Sequence, residues 1–218
     1  MKLRNDTRTT IMGRTGSGKS RFALWLLSHA DFDKRPWIVI DYKRDAVFSK
    51  LIAARNATLR KLSYRPGRNE KGINVYRPSL DQDAEVESLL SSLHSRGKCG
   101  IWLDEVYTLP QTTPLRALLT QGRSKRIQMI ICTQRPRDIT RFCFSEADYF
   151  CLFHFNDLMD IKRAAEFMPI PRGITLARDH SSIWYDVRRD ALQKVLPVGS
   201  EGRIMERIDY RYPPPEYW

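Results

Sequence analysis

Residues Gly13–Ser20 read GRTGSGKS, with TTIM (Thr9–Met12) before them and RFALWLL (Arg21–Leu27) after. The spacing G-x-x-x-x-G-K-S gives each fixed position a mechanical reason. Gly13 and Gly18 permit backbone angles closed to other residues, so that successive N–H groups across Arg14, Thr15, Gly16 and Ser17 can turn inward on a phosphate. Lys19 has the reach for the β- and γ-phosphates of a nucleoside triphosphate, and the Ser20 hydroxyl is a ligand for Mg²⁺. A helix starting near Lys19 and running through Arg21 adds its positive dipole end. The flanks agree with this reading, since Thr9–Met12 suits a short strand and Phe22, Trp25 and Leu26 fall on one helical face.

Working outward, the hydropathy pattern alternates strands with helices, which predicts a mostly parallel sheet covered on both faces. WIVIDY (Trp37–Tyr42) is an apolar, β-branched run, followed by a helical segment over Ala46–Arg55. Strand-like pieces at Thr58–Leu62 and Ile73–Tyr76 flank the basic, turn-rich SYRPGRNEKG. Val86, Leu89, Leu90 and Leu93 recur at i, i+3, i+4 and i+7, so Asp81–Arg96 reads as a helix. CGIWLDE (Cys99–Glu105) is a buried strand ending in two acids. Thr113 and Pro114 open a helix to Gln121. IQMIICTQ (Ile127–Gln134) and YFCLFHF (Tyr149–Phe155) are further strands, Asp157–Phe167 a helix, and Ser182–Val187 one more strand. No repeat or linker divides the chain, so residues 1–200 are expected to form a single domain and residues 201–218, ending YRYPPPEYW, an extended proline-rich tail.

The 218 residues are 42% hydrophobic, enough for one well-buried domain. No apolar run reaches membrane-spanning length and the N-terminus lacks a signal-peptide core, so a soluble protein without a transmembrane segment is expected. Cys99, Cys132, Cys143 and Cys151 lack metal or redox spacing and read as buried thiols. Lys and Arg number 37 against 25 acids, a net charge of +12. Much of that excess is arginine, suited to bidentate phosphate contacts, and points to a polyanion such as nucleic acid.

A phosphate loop alone leaves a switch GTPase, a kinase and an ATPase open. Asp104, at the end of IWLDE, can hold a Mg²⁺-bound water, and the adjacent Glu105 can orient and deprotonate an attacking water. A kinase must keep water from the γ-phosphate, so this pair favours hydrolysis. A guanine-reading Asn-Lys-x-Asp segment is absent from the sequence, which favours ATP. Gln134, in ICTQRP, carries an amide able to donate and accept, and can sense the γ-phosphate or the lytic water.

Taken in order, GRTGSGKS, WIVIDYKRD, IWLDE and GRSKRIQMIICTQRP resemble the HerA/FtsK clade of DNA-pumping ATPases over roughly residues 7–155. The resemblance implies a P-loop NTPase fold of the RecA-like, additional-strand kind. It implies ATP and Mg²⁺ as cofactors, with Gly13, Gly16, Gly18, Lys19 and Ser20 as the phosphate loop, Asp104 and Glu105 as the Walker B pair and Gln134 as the polar sensor. Arg123 falls where the clade places an arginine that reaches a neighbouring subunit's nucleotide. The following Ser124, Lys125 and Arg126 depart from the usual small residues and keep Arg126 as the alternative. Asp41 and Lys43 match a D-x-K feature that reads as site support or subunit contact. Without the barrel, anchor or winged-helix modules of other members, the chain is similar to genome-packaging ATPases of tailless, membrane-containing icosahedral viruses. That similarity implies a pentameric or hexameric homo-oligomeric ring on double-stranded DNA, located in the virion or host cytoplasm, with capsid or viral-membrane proteins at a portal vertex as further partners. A conjugative or plasmid DNA translocase and a nucleotide-dependent assembly switch remain the alternatives. Arg65, Arg68 and Lys71, and Arg135, Arg137 and Arg141, are candidate DNA contacts.

Overall fold

The computed structural model describes residues 4–170 and 179–211. Its strands are β1 (Arg8–Met12), β2 (Pro36–Ile40), β3 (Ala57–Arg60), β4 (Gly72–Tyr76), β5 (Gly100–Leu103), β6 (Gln128–Thr133), β7 (Tyr149–Leu152), β8 (Ser182–Asp186) and β9 (Ala191–Val195). They form one sheet in the order β3-β4-β2-β5-β6-β1-β7-β8-β9. β1 to β7 are mutually parallel, and β8 and β9 continue the sheet as an antiparallel extension. The helices are α1 (Lys19–Ser28), α2 (Ala46–Ala53), α3 (Asp83–Arg96), α4 (Thr113–Gln121), α5 (Phe142–Ser145), α6 (Leu158–Ala165) and α7 (Glu201–Arg211).

The central strands are apolar without alternation because both faces are covered. All five residues of β1, β2 and β4, and all of β5 and β6, are buried. On one face Met12, Ile38, Ile101 and Met129 meet Leu89, Leu90 and Leu93 of α3, Leu118 of α4 and Phe144 of α5. On the other, Ile11, Val39, Trp102 and Ile130 meet Phe22 and Leu26 of α1, Phe48 and Leu51 of α2, and Ile204 and Ile208 of α7. Gly100 lies opposite Trp37 in the β2–β5 pair, and a Cβ there would stand 2.0 Å from the indole. Only glycine lets that fully buried ring lie across the strand.

Three expectations change. Residues 201–211, expected as extended tail, are the helix α7, seated on α1 through Ile204 and Ile208 and tied there by Arg211, which donates to Ser28 O (2.9 Å) and to Asp33 (2.8 Å). Tyr210 and Arg211 of the YRYPPPEYW stretch thus belong to a helix; residues 212–218 lie outside the described residues. The helix after Gln111 is capped at Thr112, so Thr113 is its first residue rather than its cap. β9 extends the sheet by an edge strand that the hydropathy pattern did not mark. The four cysteines are free and buried. No helix among the described residues is long and apolar enough to cross a membrane.

Candidate active site

Because β1 lies between β6 and β7, the chain leaving it meets the ends of both neighbours. Gly13 N–H donates to Thr133 O (3.3 Å) and Arg14 N–H to His154 O (3.0 Å), which pins the first turn of the phosphate loop. A Cβ on Gly13 would lie 2.5 Å from Phe153 Cβ and 2.8 Å from Ser17 Oγ, so the loop passes where no side chain fits. Gly18, at φ +104, is the N-cap of α1 and offers no side-chain cap. The first-turn amides of α1 are therefore available to an anion. Ser17 is buried with its Oγ unpartnered, whereas Arg14, Thr15, Gly16 and Arg21 are exposed and Ser20 is half-buried. Lys19 is 6% exposed; its Nζ donates to Arg14 O (3.1 Å) and stands 4.0 Å from Glu105 Oε1. Burial holds the Lys19 ammonium below its ordinary pKa, against the opposing charge of Glu105.

The acid pair tips β5, separated from β1 by β6. Glu105 is 1% exposed and sits in the left-handed region at φ 51, ψ 61, a conformation costly for a non-glycine residue. Both its oxygens are engaged. Oε1 accepts from Lys43 Nζ, and Oε2 accepts from Gln134 N–H at 3.1 Å. Burial opposes the charge of Lys43, but the bond to Glu105 and the charges of Glu105 and Asp104 outweigh it and hold that ammonium above its usual value. Gln134 links the remaining parts: its Oε1 accepts from Thr15 Oγ1 and its Nε2 donates to Tyr107 Oη (2.9 Å). The sensor amide thus bridges phosphate loop and acid pair.

These hydrogen bonds go to Glu105 and leave the Asp104 carboxyl without a side-chain donor among the described residues. Burial, and secondly the charge of Glu105, pushes the Asp104 carboxyl up to about 7. A desolvated carboxyl lacking a protein donor, with a serine hydroxyl at the head of α1, is a hard-oxygen pair that fits Mg²⁺, an ion that keeps several waters and takes its remaining ligands from substrate phosphates. Among the described residues there is no group of three or more His, Cys, Asp or Glu side chains that would form a closed metal cage.

Beside Arg14, Thr15 and Gln134 opens a cleft of about 510 Å³, also lined by Arg135, Asn156 and Asp160. Asp41 is fully buried, paired with Arg77 at 2.9 Å. Arg123 does not join the cluster. It lies on the segment entering β6, at the opposite end of the sheet from the phosphate loop, where it is half-exposed and paired with Asp148 of the same chain at 2.7 Å. Arg126 is exposed on that segment, at φ 57, and its carbonyl accepts from Arg35 (2.8 Å). Two residues of the cluster carried no assigned role in the sequence. Lys43 was marked only by its D-x-K spacing, and Tyr107 follows Glu105 by two residues in a turn with no signal of its own.

No family model matches the chain. The chain is 35% identical over 221 residues to the DNA packaging ATPase P9 of Enterobacteria phage PRD1, spanning 96% of this chain and 95% of that protein. Among solved structures it is similar to the genome packaging NTPase B204 of Sulfolobus turreted icosahedral virus 2 in complex with sulfate (TM-score 0.71, 19% identity, 91% of this chain and 100% of that one). It is also similar to VirB4 of Thermoanaerobacter pseudethanolicus (TM-score 0.69, 11% identity, 91% of each chain). At these identities the structural likenesses speak to the fold.

Proposed function

We infer the mechanism from one premise: this chain belongs to the family of viral DNA-packaging ATPases that includes P9 of phage PRD1. The proposal is that it hydrolyses ATP and couples each turnover to moving double-stranded DNA into a capsid. The observation that carries the chemistry is the junction at Gln134, which ties the phosphate loop at Thr15 to the buried Glu105. B204 has been solved with ATPγS, AMPPCP and AMP, and the phosphate loop here suits the same class of ligand.

In this reading the loop amides and Lys19 hold the β- and γ-phosphates. Bound Mg²⁺, held by Ser20 and Asp104, supplies charge neutralisation on the phosphate oxygens. Glu105 takes a proton from a water as its oxygen attacks the γ-phosphorus, and ADP departs with the bond electrons. Gln134 senses whether the γ-phosphate is present. Arg123, turned away from its own phosphate loop, serves the nucleotide of the next subunit in a pentameric or hexameric ring, exchanging Asp148 for the transition-state charge. The +12 charge supports a DNA backbone as the polyanion, and the ring would act at a capsid vertex beside capsid or viral-membrane proteins, in host cell and virion. The experiment that tests the chemistry is Glu105→Gln, which removes the base and keeps the Mg²⁺ ligands. ATP binding should persist while turnover is lost, and turnover at the wild-type rate would refute the assignment.

A further inference from the structure

We propose that Lys43 is a latch on the general base, holding Glu105 out of reaction until a DNA phosphate draws the lysine away. The inference deepens the reading above and rests on it. With Lys43 on Oε1 and the Gln134 amide on Oε2, neither Glu105 oxygen is free to receive a proton from water. Gln134 N–H belongs to the backbone beyond β6 and is fixed by the sheet. Lys19, 4.0 Å from Oε1, is committed to phosphate once nucleotide binds. Lys43 then remains as the one group whose departure frees an oxygen.

The mobility of the pair is unequal. The Glu105 side chain is 2% exposed and that of Lys43 is 38% exposed, so the lysine is the partner that can leave. Its segment is anchored behind it, because Asp41 is held by Arg77 (2.9 Å) and accepts from Asp45 N–H (3.0 Å). Between these anchors Lys43 and Arg44 are exposed, and Arg44 adopts the left-handed region at φ 55. Two adjacent cations on a short anchored turn present themselves to a phosphodiester backbone, and the one that shifts is bonded to the base. A polyanion at this turn is thereby converted into an unblocked carboxylate roughly one side chain away.

The test measures kcat and KM for ATP in the full-length chain, with and without long duplex DNA, for wild type, Lys43→Ala and Lys43→Arg. Loss of one charge-assisted hydrogen bond on the base should raise the DNA-free kcat of Lys43→Ala on the order of tenfold, with KM unchanged and DNA stimulation reduced by a similar factor. Lys43→Arg, which keeps the bond, should behave as wild type. A merely supporting lysine would not raise kcat. Wild type active but Lys43→Ala inactive, or unchanged without DNA, overturns the latch alone; wild type unable to hydrolyse ATP overturns the reading of the site and the latch with it.

Discussion

Asp104→Asn should stabilise the protein while disabling it, and the gain should depend on pH. In the folded chain the Asp104 carboxyl is raised from 3.8 to about 7, chiefly by burial. An acid whose folded pKa is raised binds its proton more tightly in the native state, so folding is penalised as pH rises from about 4 to 7, and fully above that window. At 1.36 kcal/mol per pKa unit, the penalty is about 4 kcal/mol at pH 8 and about 2 kcal/mol at pH 5. Asparagine carries no such charge but buries an amide of its own, which costs roughly 1–3 kcal/mol if unpartnered. The variant should therefore gain roughly 1–3 kcal/mol at pH 8 and nothing measurable at pH 5. For a chain of this size 1 kcal/mol moves Tm by roughly 2–4 °C. Thermal unfolding in EDTA without nucleotide, at pH 5 and pH 8, reads the difference, and an equal Tm offset at the two pH values would refute the reasoning. The same variant should lose Mg²⁺-dependent ATPase, a site held at the expense of stability.

Lys19→Ala should abolish productive ATP binding, measured by nucleotide titration, without a comparable fall in Tm. Arg123→Ala and Lys19→Ala should each be inactive alone and regain partial ATPase when mixed, because a mixed ring contains interfaces pairing an intact phosphate loop with an intact arginine; near-normal activity of Arg123→Ala would move the role to Arg126. DNA affinity should be nearly blind to sequence and fall by roughly 10³-fold or more between 50 and 200 mM salt if six or more phosphates are contacted, as released counterions require. Gly100→Val should unfold at markedly lower temperature, since its first carbon alone would overlap the Trp37 ring.

What could be read from the sequence was what is local. The phosphate loop and the strand ending in Asp104–Glu105 are contiguous stretches whose residue types declare their use, and the buried parallel strands show themselves as unbroken apolar runs. The Lys43–Glu105 pair spans 62 residues. It exists only because β2 and β5 are sheet neighbours, an adjacency that no run of hydropathy states. Gln134 was recognised by position, but its grip on Thr15 and Tyr107 depends on the same side-by-side packing of β6 with β1 and β5. β9 escaped notice because an edge strand needs no apolar face, and ALQKV is partly exposed along its length. α7 was obscured by the prolines that follow it; its signal is the pair Ile204 and Ile208, a single i, i+4 contact in an otherwise polar helix. The engagement of Arg123 with Asp148 was likewise hidden, since sequence places the arginine before a strand without showing which acid stands beside it.

The most direct measurement is the steady-state ATPase rate of the wild-type chain with and without long double-stranded DNA, with Glu105→Gln as the control. A DNA-packaging motor should hydrolyse ATP faster when DNA is present, and Glu105→Gln should remain silent in both conditions while still binding ATP. A rate indifferent to DNA, or transfer of the γ-phosphate to an acceptor other than water, would contradict it.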